Sequence, residues 1–386
     1  MKRIPVIHII TKLEFGGAQQ NTLHTVASLD RDRFEPVLMT GPEGYLLTEA
    51  RSLGMDLRIV PHLERAVRPG TDAAAFRELR RLLEPYRGSP AIVHTHSSKA
   101  GILGRWSARR SRVPMIIHSI HGFGFTPAQS IPKRFLYLTA ERVTSRITDH
   151  FITVAEANRA DGVNYGLFEP ARCTVIRSGF DLDLFRAAGK LEPDILGDLG
   201  VPRGCPMVLM VACLKPQKAP LDFVRLAARV HREFPEARFL LAGDGEMRPA
   251  LEKEVHRRGI KDVFLAPGWR EDIPQLMRSS LAVVLTSKWE GLPRVIPQAK
   301  AAGRPVVATA VDGSVEAIRD HVDGYLCQPG DVNSMADRVI RLLKDPDLAD
   351  RMGREGARMV DEWDQDTMVL KQEELYERLL KEKGIW

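Results

Sequence analysis

The sequence predicts an α/β protein with two domains, each built on a parallel sheet. Short apolar runs of strand length alternate along the chain with helical segments, which is the pattern of repeated βα units. The chain has 386 residues, which exceeds the length that a single hydrophobic core usually supports. The clearest unit is residues 281–309, whose apolar, polar and alanine-rich segments predict strand, loop, helix, turn and strand.

Residues 281–285 of this unit form a continuous apolar run, as expected for a strand buried on both faces. Pro293 suits the first turn of a helix, and Gly303 suits its C-terminal cap. Pro297 would cost one intrahelical hydrogen bond if the helix begins as early as Pro293. Glu290 therefore lies between the carboxyl end of a strand and a helix N-terminus. Open α/β sheets bind ligands at that edge, and helix N-termini attract phosphate, so the unit predicts an anion site.

Composition describes an ordinary globular protein, with 44% hydrophobic and 27% charged residues. No apolar run has the length needed to cross a bilayer. Residues 5–10 are too short an apolar stretch for a signal peptide and predict the first strand. The cysteines, Cys173, Cys205, Cys213 and Cys327, lack metal-ligand spacing, so we expect a reduced, cytoplasmic protein.

The positive charge is concentrated in the first half of the chain. Residues 1–180 hold 25 Lys+Arg against 16 Asp+Glu, a net charge of +9, and the remainder has a net charge of −3. A solvated basic face is one interpretation, and an acidic partner is the other. We find no nucleic-acid recognition motif, so an anionic membrane surface or a phosphorylated acceptor is the preferred partner.

The first domain is predicted to alternate strands and helices from residue 5 onwards, with strands at residues 5–11, 34–40, 57–60, 91–96, 115–120, 150–154 and 173–176. Gly16 and Gly17 follow the first strand, where they form either a plain tight turn or a close backbone approach to a ligand. His94 and His96 are expected to point to opposite faces of their strand. A metal shared by the two is therefore not expected, and one of them is predicted to line a cleft.

Residues 131–147 predict a helix with Phe135, Leu138 and Val143 on one side and basic residues around them. Contact with a membrane surface and packing on the helix's own domain both fit this composition.

Residues 187–204 carry glycine and proline and predict the connection to the second domain. That domain is predicted to hold strands at residues 207–212, 238–242, 263–265, 281–285 and 305–309. It also holds an amphipathic helix at 221–234 and a short helix at 273–280. The chain is expected to end in helices at residues 335–344, 346–360 and 367–382.

One family matches these motifs. Glu290, followed by seven residues and then Gln298, resembles the E-x7-E signature of retaining family 4 glycosyltransferases of the GT-B fold. The runs GGAQQNTL and RSGFDLDLF, and the His121-Gly122 pair, resemble further family segments. The resemblance covers nearly the whole chain and is strongest over residues 207–330. The sequence departs from the family pattern at Gln298 in place of the second acid, at Cys213 in place of an arginine, and at Ser178 in place of an asparagine.

The resemblance implies two Rossmann-like domains that face each other across a cleft. Residues 1–186 would form the acceptor-side domain, and residues 187–364 the domain that binds the nucleotide sugar. Residues 365–386 would form a C-terminal helix that crosses back to the first domain.

The resemblance also implies the roles of individual residues. Lys218 matches the family lysine that binds the donor diphosphate, and Lys215 would supply the charge that Cys213 lacks. Glu290 would hold hydroxyls of the donor sugar, and Gln298 would meet the ribose. His121 would lie near the reacting sugar. The full set implied for donor binding is Gly17, Lys215, Lys218, Gly243, Trp269, Arg270, Glu290, Gly291, Leu292 and Gln298, with His121, Glu290 and Lys218 as the catalytic residues.

The predicted function is transfer of a sugar from a nucleoside-diphosphate donor to an acceptor hydroxyl, with retention at the anomeric carbon. A lipid-linked or cell-surface glycan intermediate is the expected acceptor, within polysaccharide biosynthesis. We expect no metal and no cofactor besides the donor. Asp181 and Asp183 spell D-x-D, but they fall in the linker, so we do not assign them a metal. The expected location is cytoplasmic, peripheral on the inner face of the membrane.

Two alternatives belong to other classes. The first is a GT-B binding or partner subunit without transferase activity, which the three departures favour. The second is a sugar-nucleotide epimerase on the same fold, which the helix of the E-x7-E type disfavours.

Overall fold

The computed structural model describes residues 3–125, 129–187 and 195–385. These residues form two compact units. Unit 1 comprises the chain up to Gly179 together with the segment from Gln365 onwards, and unit 2 comprises Phe180–Asp364. The C-terminal segment therefore belongs to unit 1.

The described part of unit 1 contains a seven-stranded sheet in which all paired strands are parallel. The strand order is β3-β2-β1-β4-β5-β6-β7. The strands are β1 (Ile4–Ile10), β2 (Phe34–Thr40), β3 (Asp56–Ile59), β4 (Ile92–His96), β5 (Met115–Ile120), β6 (His150–Thr153) and β7 (Cys173–Val175).

The helices of unit 1 connect these strands, as parallel pairing requires. They are α1 (Gly17–Ser28), α2 (Leu47–Ser52), α3 (Pro69–Leu83), α4 (Ser98–Arg110), α5 (Ile131–Ser145), α6 (Glu156–Asn164) and, from the end of the chain, α16 (Gln365–Glu382).

Both faces of the unit 1 sheet are covered. Along β1, Ile4 and Val6 pack in the cluster that includes Tyr376 of α16, whereas Ile7 and Ile9 pack in the cluster under α3 and α4. Side chains alternate between the faces of a strand, so a strand buried on both faces needs an uninterrupted apolar run. The same alternation places His8 on the α16 side of the sheet.

Unit 2 repeats this architecture with six described strands, all in parallel pairs, in the order β10-β9-β8-β11-β12-β13. The strands are β8 (Met207–Val211), β9 (Arg238–Ala242), β10 (Phe264–Gly268), β11 (Ala282–Leu285), β12 (Val306–Thr309) and β13 (Gly324–Cys327).

The helices of unit 2 pack around a core that includes Phe223 and Phe239. They are α7 (Leu182–Ala187), α8 (Ile195–Asp198), α9 (Pro220–Glu233), α10 (Arg248–Arg258), α11 (Ile273–Ser279), α12 (Val295–Ala301), α13 (Gly313–Ala317), α14 (Val332–Lys344) and α15 (Pro346–Ala357). The helices α7, α8, α10 and α13 are absent from the sequence prediction.

Each sheet has one point where the strand order reverses. In unit 1 the reversal lies between β1 and β4, and in unit 2 it lies between β8 and β11. The loops at the carboxyl ends of these two strands lead away to opposite sides, which leaves a crevice where open α/β sheets bind ligands.

The predicted parallel α/β class and its strands are confirmed. The start of the key helix is wrong, because α12 begins at Val295 and not at Pro293. Pro297 consequently lies in the first turn, where the amide hydrogen that proline lacks has no intrahelical partner in any case. Gly303, just past the helix, has φ of +71°, as a C-terminal cap requires.

Among the described residues, no helix combines enough length and apolar character to cross a membrane.

Candidate functional site

The crevice of unit 2 brings Lys218 and Glu290 together. Lys218 ends the short 3-10 turn Pro216–Lys218 that follows β8, and Glu290 lies in the loop that follows β11. Because β8 and β11 are neighbours in the sheet, their loops meet. The ammonium of Lys218 forms an ion pair with the carboxylate of Glu290. The predicted phosphate-binding lysine and the predicted sugar-binding acid are thus partners in this structure.

The carboxylate of Glu290 is well compensated although its side chain is only 6% exposed. The hydroxyl of Ser287 donates to Glu290 Oε1 at 2.6 Å, and the amide of Gln217 donates to Oε2 at 3.4 Å. With the Lys218 ammonium, these donors offset the desolvation of a buried charge. A hydroxylated ligand that enters here would compete for a carboxylate that already accepts several hydrogen bonds.

A second loop holds the backbone beside Glu290. The backbone N–H of Glu290 donates to Asp312 Oδ2 at 2.6 Å, and the N–H of Gly313 donates to the carbonyl of Gly291 at 3.1 Å. Leu292 is buried next to Gly313. Since α12 begins only at Val295, the amides near Gly291 do not form the helix N-terminus that the sequence predicted.

Gly243 follows β9 and has φ of +141°. A Cβ built on it would lie 2.0 Å from the carbonyl oxygen of Ala212, so only glycine fits this approach of the two strand ends. The next residue, Asp244, accepts from Arg248 Nε at 2.7 Å, which lowers the pKa of its carboxyl. The predicted donor loop therefore approaches Ala212 closely through its backbone at Gly243 and is tied to α10 through the Asp244–Arg248 ion pair.

The other predicted donor-binding residues differ in their exposure and in the hydrogen bonds that they already form. Lys215 is exposed, and Gln298 is half-buried on α12. Trp269 is 55% exposed. Arg270, in contrast, donates from Nε to Asp272 Oδ1 at 2.8 Å and forms a second bond to the same carboxylate. A ligand contact through the Arg270 guanidinium would have to compete with Asp272.

Unit 1 contains a chain of histidines at its own crevice. Ring nitrogens of His8 on β1 and His96 on β4 lie 3.0 Å apart, and His96 Nδ1 lies 3.2 Å from His121 Nε2. The ring of His94 contacts both His8 and His96, with centroids 4.9 and 4.3 Å away. His94 hydrogen-bonds Tyr376 of α16 at 2.6 Å.

The expectation that His94 and His96 point to opposite faces is wrong. Residues two apart on a strand lie on the same face, because side chains alternate with a period of two. Pairing of β1 with β4 then brings His8 level with His94.

The three buried histidines, His8, His94 and His96, are neutral at physiological pH. Burial lowers the pKa of His8 to about 3 and holds the pKa values of His94 and His96 well below their usual range. Nitrogens of His8, His94 and His96 lie within 4.8 Å of one another, so this trio has the composition of a metal site. Both ring nitrogens of His94 and of His96 already take part in hydrogen bonds, which a metal would have to displace.

A pocket of about 230 Å³ adjoins this cluster in unit 1. Its lining includes Ser98, His118, Ser119, His121 and Phe125. His118 lies inside β5, where the sequence pattern gives no reason to single it out, yet it lines the same pocket as His121. The signal that could have found it is the spacing of His118 and Ile120, which puts both on one face of β5.

Gly17 is the first residue of α1, and Gly16 before it is extended. The pair therefore forms a strand-to-helix turn, and neither residue of it needs a positive φ. In the D-x-D sequence, Asp181 Oδ1 accepts the backbone N–H of Leu184 at 3.0 Å at the start of α7. Asp181 thus has a local structural role.

Comparison with known proteins supports a single family. Residues 193–359 match the family described as glycosyl transferases group 1, and residues 16–179 match the glycosyl transferase 4-like domain. The UDP-Gal:alpha-D-GlcNAc-diphosphoundecaprenol alpha-1,3-galactosyltransferase of Escherichia coli is 30% identical over 349 residues. That match covers 89% of this chain and 89% of the relative.

Solved structures agree with this assignment at the level of the fold. HepE of Anabaena, crystallised with UDP-glucose, matches with a TM-score of 0.83 and 21% identity over 97% of this chain and 100% of its own. WaaG, a glycosyltransferase involved in lipopolysaccharide biosynthesis, matches with a TM-score of 0.78 and 16% identity over 96% of this chain and 99% of its own. The chain has the GT-B fold, and it belongs to the group 1, family 4-type glycosyltransferases.

Proposed function

We propose that this glycosyltransferase takes its sugar from a UDP-sugar and transfers it with retention at the anomeric carbon. The observation that carries the proposal is the meeting of Lys218 and Glu290 at the crevice of unit 2. A lysine in the turn after β8 and an acid in the loop after β11 are the groups that the family motif assigns to the diphosphate and to the sugar. The name of the Escherichia coli relative and the ligand bound to HepE support UDP as the nucleotide.

Departure of the diphosphate is the step that needs most help from the protein. As the glycosidic bond breaks, negative charge develops on the leaving phosphate, and a positioned cation stabilises that charge. Lys218 is poised for this role, and Lys215 is exposed three residues earlier, just before the same turn. When a phosphate draws Lys218 away, the Glu290 carboxylate becomes available to accept hydrogen bonds from sugar hydroxyls.

The proposed acceptor is a sugar on a lipid diphosphate. The Escherichia coli relative is named for such an acceptor, and the match covers most of both chains. The pocket beside His118 and His121 has the mixture of polar and aromatic groups that sugar rings favour. We assign His121 to the orientation of the reacting groups there.

A lipid-linked acceptor requires contact with the membrane surface, and α5 is the proposed contact. Its inward face packs through Leu138, Glu141 and Thr144, whereas large apolar side chains point outwards. Ile131 is 84% exposed, and Phe135 is 67% exposed. Basic residues lie along the same helix and just beyond it, and they suit an anionic surface: Lys133, Arg134, Arg142 and Arg146.

The decisive experiment is a transfer and hydrolysis assay of the purified protein with UDP-, GDP- and ADP-sugars and a lipid-diphosphate-linked GlcNAc acceptor. We expect transfer from a UDP-sugar, and NMR of the product should show the anomeric configuration of the donor. An inverted product would overturn the retaining mechanism. Binding of UDP without transfer to any acceptor would favour the partner-subunit alternative, for which the loss of the family arginine at Cys213 is the specific observation.

We also propose that transfer needs no divalent metal, since protein cations meet the diphosphate. The transfer rate should stay nearly unchanged in excess chelator. A rate that collapses and returns with magnesium or manganese would contradict this.

Flotation with vesicles tests the membrane contact. We expect binding to anionic vesicles, little binding to neutral ones, and release in high salt because exposed charges are screened. Phe135→Ser with Leu136→Ser should abolish flotation. Met359→Ser, which removes an exposed apolar side chain from unit 2, is the control and should float like the wild type. Equal recovery on both kinds of vesicle would exclude the anionic surface as the partner.

A further inference from the structure

Asp312 has an unusual backbone. Its φ of 38° and ψ of −126° lie in a region that residues with a Cβ seldom adopt and that glycine enters freely. Asp312 also stands at the N-cap of α13, where an aspartate usually accepts from the first amides of its own helix. Its side chain makes no such capping bond. The residue thus has a strained backbone, and its side chain does not cap the helix that it precedes.

The carboxylate of Asp312 instead serves the neighbouring loop. Oδ2 accepts the backbone N–H of Glu290 at 2.6 Å, a short charge-assisted hydrogen bond. Next to it, the N–H of Gly313 donates to the carbonyl of Gly291 at 3.1 Å. A Cβ on Gly313 would lie 2.3 Å from that carbonyl oxygen, so the two loops touch through their backbones. Two hydrogen bonds, donated in opposite directions between the two loops, therefore hold the backbone of residues 290 and 291 in place.

We propose that Asp312 is a positioning residue, which holds the backbone of Glu290 so that its carboxylate meets the sugar of the bound donor. Residues with strained backbone conformations persist where the surrounding contacts fix them, and they are concentrated at functional sites. Glycine at this position would relax the backbone but would release the amide of Glu290. The effect on the sugar rests on the proposed function, whereas the hold on the Glu290 backbone does not.

The test compares Asp312→Gly with Asp312→Asn. Asparagine keeps an oxygen acceptor for the Glu290 amide, so Asp312→Asn is the matched conservative variant. In titration calorimetry, Asp312→Gly should bind UDP-galactose about five- to tenfold more weakly than the wild type, which is the size of one good hydrogen bond. Binding of UDP alone should not change, because UDP lacks the sugar. Asp312→Asn should recover most of the loss.

Two further measurements keep the result clear. Thermal unfolding of Asp312→Gly should occur at the same temperature as in the wild type or higher, because the strain is relieved. Hydrogen exchange over residues 286–292 should be faster in Asp312→Gly and near wild type in Asp312→Asn. This last measurement needs no donor, so it stands even if wild-type protein binds no UDP-galactose, an outcome that would only exclude galactose as the donor sugar.

Three results would overturn the inference. They are unchanged exchange over residues 286–292 in Asp312→Gly, unchanged affinity for UDP-galactose where the wild type binds it, and equal losses of UDP and UDP-galactose affinity together with a lower unfolding temperature. The last pattern is that of a residue with a merely structural role.

Discussion

The two crevices of this glycosyltransferase arise from the same strand topology, but the residues at one are neutral and those at the other are charged. In unit 1 the reversal of strand order is filled by His8, His94 and His96, which are buried and neutral. In unit 2 the equivalent place holds the charged pair of Lys218 and Glu290. In the described chain, neither set of residues comes from one strand. Each set is assembled because strands distant in sequence are neighbours at the reversal.

Under the proposed function, the difference reflects what each ligand would demand of the protein. A diphosphate leaving group would need a cation that can move to it, and the ion pair with Glu290 would keep the Lys218 ammonium in place until the ligand arrives. A sugar acceptor would need hydrogen-bonding groups in fixed orientations, and the buried, uncharged imidazoles would hold His121 through its contact with His96. Unit 1 should therefore depend on protonation state, and unit 2 on the presence of its charges.

The largest expected effect comes from a change to the charged pair of unit 2. Lys218→Ala should lower the transfer rate by about 30-fold to 1000-fold, because a charge-assisted contact to a phosphate is worth roughly 2–4 kcal/mol. Steady-state kinetics with the best donor measure it.

Lys215→Ala is the control for Lys218. It is exposed and unpaired with Glu290, so its loss should be smaller. The assignment of unit 2 as the charge-dependent unit fails if Lys218→Ala transfers sugar like the wild type.

The second prediction concerns acid. Burial lowers the pKa of His8 to about 3, so between pH 6.5 and 3 the unfolded chain binds a proton that the folded chain does not. Stability is then full above pH 6.5 and falls as the pH drops. At pH 5 the loss from His8 alone is about 2 kcal/mol. His94, His96 and His118 act in the same direction, because burial lowers their pKa values too.

Unit 2 should resist this mild acid. Hydrogen bonds from Arg257 and Arg258 lower the pKa of Glu254 to about 2, and the carboxyls of Asp244 and Asp331 also have lowered pKa values. Their stabilisation is lost only below about pH 4.5. Hydrogen exchange at pH 7.5 and 5, corrected for intrinsic rates, should show unit 1 opening first. Equal opening of both units would remove the contrast.

The smallest predicted effect is on the binding of UDP and concerns Gln298 in unit 2. If its amide meets the ribose, as the family motif implies, then Gln298→Ala should weaken binding of UDP by about fivefold, through loss of about 1 kcal/mol. Gln298→Glu should bind as well or better, since a carboxylate is the stronger acceptor.

Calorimetry with UDP on the three proteins decides this prediction. Wild-type affinity in Gln298→Ala would mean that position 298 does not touch the ribose. The helix α12 would then present a different residue to the donor.

Much of the fold could be predicted from local pattern. Apolar runs such as residues 281–285 specify strands that are buried on both faces, and the segments between them specify helices. Boundaries were less secure, since Pro293 suits a first turn but α12 begins at Val295. The candidate donor residues came from motif spacing, and the structure brings Lys218 and Glu290 together although it leaves Arg270 engaged with Asp272.

The sequence alone determined the α/β class and the family motifs, and it made Lys218, Glu290 and His121 candidate site residues, because hydrophobic period and motif spacing are local properties. Only the tertiary structure decided which of these residues are in contact. Lys218 and Glu290 are 72 residues apart and His8 and His96 are 88 residues apart, and strand order alone makes them neighbours. The hydrogen bond from the backbone N–H of Glu290 to the carboxylate of Asp312 likewise depends on a backbone conformation that residues with a Cβ disfavour. No local propensity predicts this conformation at Asp312.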